Sequence, residues 1–231
     1  MLYEPSRAGN ATDEMFEAQW WRSRGAATEA AGGRGATLLI ADGPRAWALR
    51  HYRRGGMVAR FLADRYLWTG EARTRPFREW RLLSEMHASG LPVPAPVAAR
   101  YLRSGAFYRG DLITERIADS QPLPVLLRAA NLPRAAWQAI GACLRGFHEH
   151  GICHADLNAH NVLIDARGRV FLVDFDRGSR RAPGRWREGN LARLRHSLDK
   201  IARELPAGRF GDEDWTVLLE AYRAAPPPAK A

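Results

Sequence analysis

The sequence predicts an α+β fold in two lobes, on three observations. The first half reads as strands around one strongly periodic helix, and the second half reads as helices interrupted by one short strand pair. A proline-containing stretch, "ADSQPLP", stands where the character changes and reads as a linker. We place the lobes at residues 1–117 and 118–231, with a cleft expected between them. A chain of 231 residues has enough material for these cores, and a hydrophobic content of 46% excludes disorder over most of the length.

The elements follow in order. Asp13–Arg22 is predicted as a short amphipathic helix with Phe16, Trp20 and Trp21 on its apolar side. A weak strand is expected before Gly32. Thr37–Ala41 and Ala46–Tyr52 are β-like runs joined by an Asp-Gly-Pro turn, which makes a hairpin. Val58–Trp68 carries Phe61, Leu62, Tyr66, Leu67 and Trp68 among charges and reads as a short helix or ordered loop. Over Arg75–Ser89, Phe77, Trp80, Leu83 and His87 recur at spacings of three and four, so a helix is expected. Gly90 stops it, and the prolines of "LPVPAP" force extended chain. Val97–Leu102 and Tyr108–Glu115 read as strands about a Ser-Gly turn. Beyond the linker, Pro133–His150 places Trp137, Ile140, Leu144 and Phe147 on one helical face. Strands are expected at Val162–Ile164 and Val170–Val173, and helices at Asn190–Glu204 and Asp214–Arg223.

Charge narrows the function classes. The net charge is +10, and residues 45–110 alone hold 13 Arg against 4 acidic residues. Such a patch favours an anionic partner: nucleic acid, an anionic membrane surface or a phosphorylated substrate. The alternative is a solvated surface in an Arg-rich composition, because Lys200 and Lys230 are the only lysines. No apolar run approaches the roughly 18 residues needed to span a bilayer. The N-terminus is acidic and lacks an apolar signal core, so no secretory signal is expected. Cys143 and Cys153 make no disulfide framework, and a reduced cytoplasmic setting is expected.

The chemistry gathers in "HADLNAHNVLID", His154–Asp165, and in "VFLVDFDRG" downstream. Asp156 and Asn161 lie on a loop that leads into a strand, and Asp174 ends the next strand. The hairpin so formed brings Asp156, Asn161 and Asp174 together. An amide oxygen and a carboxylate, Asn161 and Asp174, are hard ligands suited to Mg²⁺, which takes few protein ligands plus substrate phosphates. Asp156 remains to accept a proton from an attacking hydroxyl. The arrangement resembles the protein-kinase pattern of catalytic Asp, metal Asn and metal Asp. In the first lobe the turn "GGRGAT" offers the backbone amides of Gly32, Gly33 and Gly35 to phosphates. Arg50 stands where such kinases place a phosphate-pairing Lys, and Glu79 on the following helix is its expected partner, or else a solvated helix charge. Three departures count: Arg50 replaces Lys, Asn158 sits where protein kinases usually have Lys, and Asp176 replaces the motif Gly. With no Ala-Pro-Glu segment after Asp174, they favour a small-molecule or glycan hydroxyl as acceptor.

The stretches "GRGATLLI", "LRHYRRGG", "RYLWTGEARTRPFREWRLL", "GLPVPAPVAARY", "HADLNAHNVLID" and "VFLVDFDRG" together resemble the 3-deoxy-D-manno-octulosonic acid (Kdo) kinases, over roughly Trp20–Lys200. These are lipopolysaccharide-core sugar kinases with a protein-kinase-like two-lobed fold. The resemblance implies ATP and Mg²⁺ as cofactors and phosphorylation of the Kdo 4-hydroxyl on a lipid A precursor. It also implies a peripheral position at the cytoplasmic face of the inner membrane, and an Arg at position 50 as a family feature. Glu115 and Ile117, at the lobe boundary, join the nucleotide-binding set. The basic residues Arg53, Arg54, Arg60, Arg65, Arg73 and Arg75 then have a glycolipid or an anionic membrane surface to bind. Phe61, Leu62, Tyr66, Leu67 and Trp68 either dip into that interface or pack under the first lobe. Three rivals stand beside this reading. One is a kinase of the same fold with another acceptor. Another is a zinc protein using Cys143, His148, His150, Cys153 and His154, whose spacing fits no common zinc signature. The last is a basic nucleic-acid-binding module, against which the chain carries no recognition motif, so no nucleic-acid partner is expected.

Overall fold

The computed structural model describes residues 1–29, 37–53 and 64–224. In chain order these form β1 (Leu2–Tyr3), α1 (Pro5–Ala8), α2 (Ala18–Ser23), β2 (Ala27–Glu29), β3 (Thr37–Asp42), β4 (Arg45–His51), β5 (Tyr66–Leu67), α3 (Arg75–Ala88), β6 (Pro96–Ser104) and β7 (Phe107–Glu115). There follow β8 (Ser120–Pro122), α4 (Leu123–Ala129), α5 (Arg134–Glu149), β9 (Ile152–Cys153), β10 (Val162–Asp165), β11 (Val170–Leu172), β12 (Ser179–Arg180), α6 (Trp186–Ala202) and α7 (Asp212–Ala224). The fold is mixed α and β, with antiparallel strand pairing. The chain divides into two compact units, Met1–Glu85 with Pro94–Arg116, and Met86–Val93 with Ile117–Ala231.

The first unit is built on one sheet in the order β1-β6-β7-β4-β3-β2, with β5 added beside β7. Alternation along β4 sets its two faces. Trp47 and Leu49 point into a core with Met15, Phe16, Trp21 and Ile40, while Arg50 and Tyr52 lie on the opposite face. Trp21 is fully buried, and its indole N–H donates to Met15 O at 2.8 Å.

The second unit has a small sheet in the order β11-β10-β8 and a two-stranded pair, β12 with β9. The predicted face of α5 is its buried face: Trp137, Ile140, Leu144 and Phe147 are each at most 1% exposed. Gly141 lets α5 approach α7, because a Cβ there would stand 2.2 Å from Leu218 O. The β10–β11 hairpin pairs Val162 with Leu172. Its turn is fixed by Asp165, whose Oδ1 accepts from the backbone N–H of Arg167 and of Arg169 at 2.9 Å each.

Three sequence expectations need correction. Asp13–Arg22 is not one helix: Glu17 takes an extended backbone (φ −95°, ψ 109°), which separates a 3₁₀ turn at Asp13–Phe16 from α2. The "ADSQPLP" stretch is not a bare linker. Ser120–Pro122 pairs with β10, and Pro122 and Pro124 sit at the start of α4, where proline removes no needed hydrogen bond. Within Val58–Trp68, read as a short helix or ordered loop, the described residues Tyr66–Leu67 form a short strand against Tyr108 and Phe107.

Candidate active site

The loop from His154 to Asn161 enters from β9 and leaves into β10, and both ends are held. His154 is 2% exposed. Its Nδ1 accepts from the backbone N–H of Asp156 (3.3 Å), so Nε2 carries the proton and donates to Val173 O (2.9 Å). Burial keeps the ring below the usual histidine range, against that hydrogen bond and the charges of Asp174 and Asp156. One neutral imidazole thereby ties the Asp156 turn to the residue before Asp174. Phe175 lies beneath, 4.5 Å from the His154 ring and stacked at 5.7 Å on Phe147.

Asn161 completes the connection. Its backbone O accepts from Val173 N–H at 3.1 Å, and its side-chain Nδ2 donates to Asp156 O at 2.9 Å. The amide is 8% exposed, and its Oδ1 accepts no hydrogen bond among the described residues. Asp174 follows in the left-handed region (φ +64°), a costly conformation for a residue with a Cβ and one found disproportionately at functional sites. A free amide oxygen on a fixed side chain beside a strained, exposed aspartate is a donor set that fits Mg²⁺, which accepts few protein oxygens and keeps the rest of its shell for water and phosphate. Among the described residues no group of three or more His, Cys, Asp or Glu side chains could hold a metal ion.

The helix α6 holds the loop from the other side. Asn190 Oδ1 accepts from His154 N–H at 3.2 Å and Asn190 Nδ2 donates to His154 O at 3.0 Å. Ser197 Oγ accepts from Ala159 N–H at 3.1 Å. Between them Arg193 Nη2 stands 3.1 Å from Asp156 Oδ1. Asn158 is used within the loop, accepting from His160 N–H at 2.9 Å and donating to Asp156 O at 3.0 Å.

In the first unit, Arg50 Nη2 lies 2.5 Å from Glu79 Oε2, the expected partner. The Glu79 carboxylate is buried at 2% exposed and also accepts from the Tyr52 hydroxyl at 2.5 Å. Burial, and then the Glu79 charge, push the Tyr52 phenol well above its ordinary value, so it stays a donor. Gly32, Gly33 and Gly35 lie outside the described residues. Glu115 ends β7, with its N–H on Ala95 O at 2.8 Å and its carboxylate on Arg7 at 3.2 Å. Ile117 O accepts from Ser120 Oγ at 2.9 Å. Of the basic and aromatic set, Arg54, Arg60, Phe61 and Leu62 lie outside the described residues. Tyr66 packs on Tyr108, and Trp68 packs on Tyr101 at 5.0 Å, whereas Leu67 is 59% exposed.

Sequence reasoning missed Tyr52, Asn190, Arg193 and Ser197. Two signals were available. Tyr52 shares a strand face with Arg50 two residues away, and Asn190 is the polar member of the buried row Asn190, Leu194, Leu198 on α6.

The second unit thus offers an exposed Asp156 on a loop pinned at both ends, with Asn161 and Asp174 beside it, and the first unit separately offers an arginine fixed by a buried carboxylate. Residues 18–222 match the model of the lipopolysaccharide kinase (Kdo/WaaP) family. The chain is 44% identical over 227 residues to a 3-deoxy-D-manno-octulosonic acid kinase of Xanthomonas euvesicatoria pv. vesicatoria, covering 97% of this chain and 90% of that protein. Proteins of the same name from Xylella fastidiosa and Photobacterium profundum are 43% and 39% identical, over 88% and 95% of this chain and 82% and 93% of theirs. The chain belongs to the lipopolysaccharide kinase (Kdo/WaaP) family.

Proposed function

We propose that the chain is an ATP-dependent Kdo kinase of lipopolysaccharide core biosynthesis, with a protein-kinase-like two-lobed fold, which phosphorylates the 4-hydroxyl of Kdo on a lipid A precursor. The observation that carries the mechanism is the set of bonds that joins Asp156 to Asn161 directly and joins Asp156 to Val173, the residue before Asp174, through His154. Asn161 and Asp174 would hold Mg²⁺, which would supply charge neutralisation of the triphosphate. Asp156 orients the acceptor hydroxyl and takes its proton. Arg50, fixed by Glu79 and Tyr52, steadies the nucleotide phosphates, with Gly32, Gly33 and Gly35, which lie outside the described residues, as the further phosphate contacts of this reading, and Glu115 and Ile117 supply backbone contacts to the base. His154 does no proton transfer; it holds the loop.

The acceptor in this reading is an anionic glycolipid, and the protein sits peripherally on the cytoplasmic side of the inner membrane. Among the described residues no helix is long and apolar enough to cross a membrane. A groove of about 170 Å³ lined by Arg65, Arg103 and Arg109 lies beside exposed Leu102. A cation free to meet an anionic surface contributes about 1 kcal/mol, whereas Arg109 is already paired with Asp64 at 2.8 Å. Nucleic acid is not a partner in this reading.

The test is an acceptor panel with labelled ATP and Mg²⁺. Label is expected on a Kdo-bearing lipid A precursor and not on a heptose, an aminoglycoside or a protein. Label on another acceptor with none on Kdo contradicts the assignment.

A further inference from the structure

A moving phosphoryl group carries negative charge on its equatorial oxygens, and preorganised positive charge lowers the barrier to its transfer. At position 158, where the protein-kinase pattern has Lys, this chain has Asn, and that amide is occupied at both ends within the loop. No cation comes from there. One comes from α6: Arg193 Nη2 lies 3.1 Å from Asp156 Oδ1, on side chains that are 51% and 61% exposed. Arg193 stands one turn after Asn190 and one turn before Ser197, on the helix face whose other two polar residues grip the backbone of the same loop. It makes no other hydrogen bond or ion pair among the described residues, and Asp156 Oδ2 has no partner among them. An exposed pair of this kind contributes little to folding, so stability does not account for it.

We propose that Arg193 is the cation of the transfer step, replacing the charge that Asn158 lacks. The inference rests on the kinase reading above. Arg193 positions Asp156 through Oδ1 and presents its remaining guanidinium N–H groups to the group in transit. Asp156 Oδ2 accepts the proton of the acceptor hydroxyl while the hydroxyl oxygen bonds to the γ-phosphorus. The bond from that phosphorus to the β–γ bridging oxygen breaks, and ADP leaves with the electron pair. The guanidinium stays protonated throughout.

The experiment compares the wild-type chain, Arg193→Ala and Arg193→Lys with ATP, Mg²⁺ and a Kdo-bearing lipid A precursor, reading kcat, KM for ATP and thermal unfolding. Arg193→Ala is expected to lower kcat about 10²- to 10³-fold with a melting temperature and KM close to wild type. Arg193→Lys is expected to recover about tenfold of the loss, because it restores charge without the planar fork. Wild-type kcat in Arg193→Ala overturns the proposal, as does equal impairment of both variants, or a loss that tracks a lowered melting temperature. If the wild-type chain leaves the Kdo acceptor unmodified, the acceptor assignment has failed instead. Arg193 is then read from ATP hydrolysis in the same samples, where an unchanged rate in Arg193→Ala overturns its role and a loss rescued by Lys supports it.

Discussion

Glu79 is the residue whose surroundings are most constrained by charge. A carboxylate 2% exposed is stable only with partners, and among the described residues these include the Arg50 guanidinium and the Tyr52 hydroxyl. Tyr52→Phe removes a hydrogen bond to a charged group, so unfolding free energy from urea titration should fall by about 1.5–3 kcal/mol. Affinity for ATP should fall as well, because Arg50 loses a fixed anchor. Unchanged stability and unchanged ATP binding in this variant would show that Tyr52 does not support the pair. Much of this residue-scale chemistry was legible in the sequence. Asp156, Asn161 and Asp174 stand out because polar residues crowd two short strands, and Arg50 with Glu79 because Arg50 falls at the phosphate-pairing Lys position of the kinase pattern with an acid on the helix that follows. Tyr52 and Asn190 were hidden because their roles depend on which face of an element turns inward, and an aromatic on a strand or an amide on a helix has many ordinary uses.

At the scale of elements, the packing of α5 on α7 organises the second unit. The apolar row on α5 was readable because a spacing of three and four has one structural meaning in a helix of this length. The partner of that row was not readable: Gly141 is a weak helix former whose purpose is visible only with α7 against it. Gly141→Ala puts a Cβ 2.2 Å from Leu218 O and 2.9 Å from Tyr222 N, both backbone atoms, so the helices must separate. The variant should lose about 3 kcal/mol in urea titration, well beyond the gain in helix propensity. Equal or higher stability would mean that α5 and α7 can shift at little cost. The short elements β1, α1, β8 and α4 were illegible because two to seven residues hold too little periodicity to separate strand from linker. Only pairing partners elsewhere in the chain define them.

For the whole molecule, buried histidines set the response to acid. Burial pushes His148 down to about 4 from an ordinary 6.5, and its Nδ1 lies 2.8 Å from the Tyr222 hydroxyl. His154 is displaced in the same direction. The unfolded chain takes up a proton on His148 near its ordinary pKa, whereas the folded chain resists until about 4. Stability is therefore full above the ordinary value and declines as pH falls toward the folded one, by on the order of 3 kcal/mol for His148. Urea midpoints should fall between about pH 7 and about pH 4.5, and His148→Gln should flatten that decline. A midpoint independent of pH across this window would contradict the account. Charge acts at this scale too. The Arg excess of residues 45–110 was plain in the sequence, but part of it is internal bonding: Arg100, 6% exposed, is bound to Asp111 and Glu17. Net charge counts such residues as available when the fold has already used them.

The most direct test of the central claim is calorimetric titration of Mg–ATP into the wild-type chain, Asp156→Ala and Asp174→Ala, with Kdo phosphorylation measured on the same samples. Asp156→Ala should bind Mg–ATP nearly as well as wild type and lose transfer by about 10²- to 10⁴-fold. Asp174→Ala should lose both. Wild-type transfer by Asp156→Ala, or wild-type Mg–ATP binding by Asp174→Ala, would contradict the division of labour between the two aspartates.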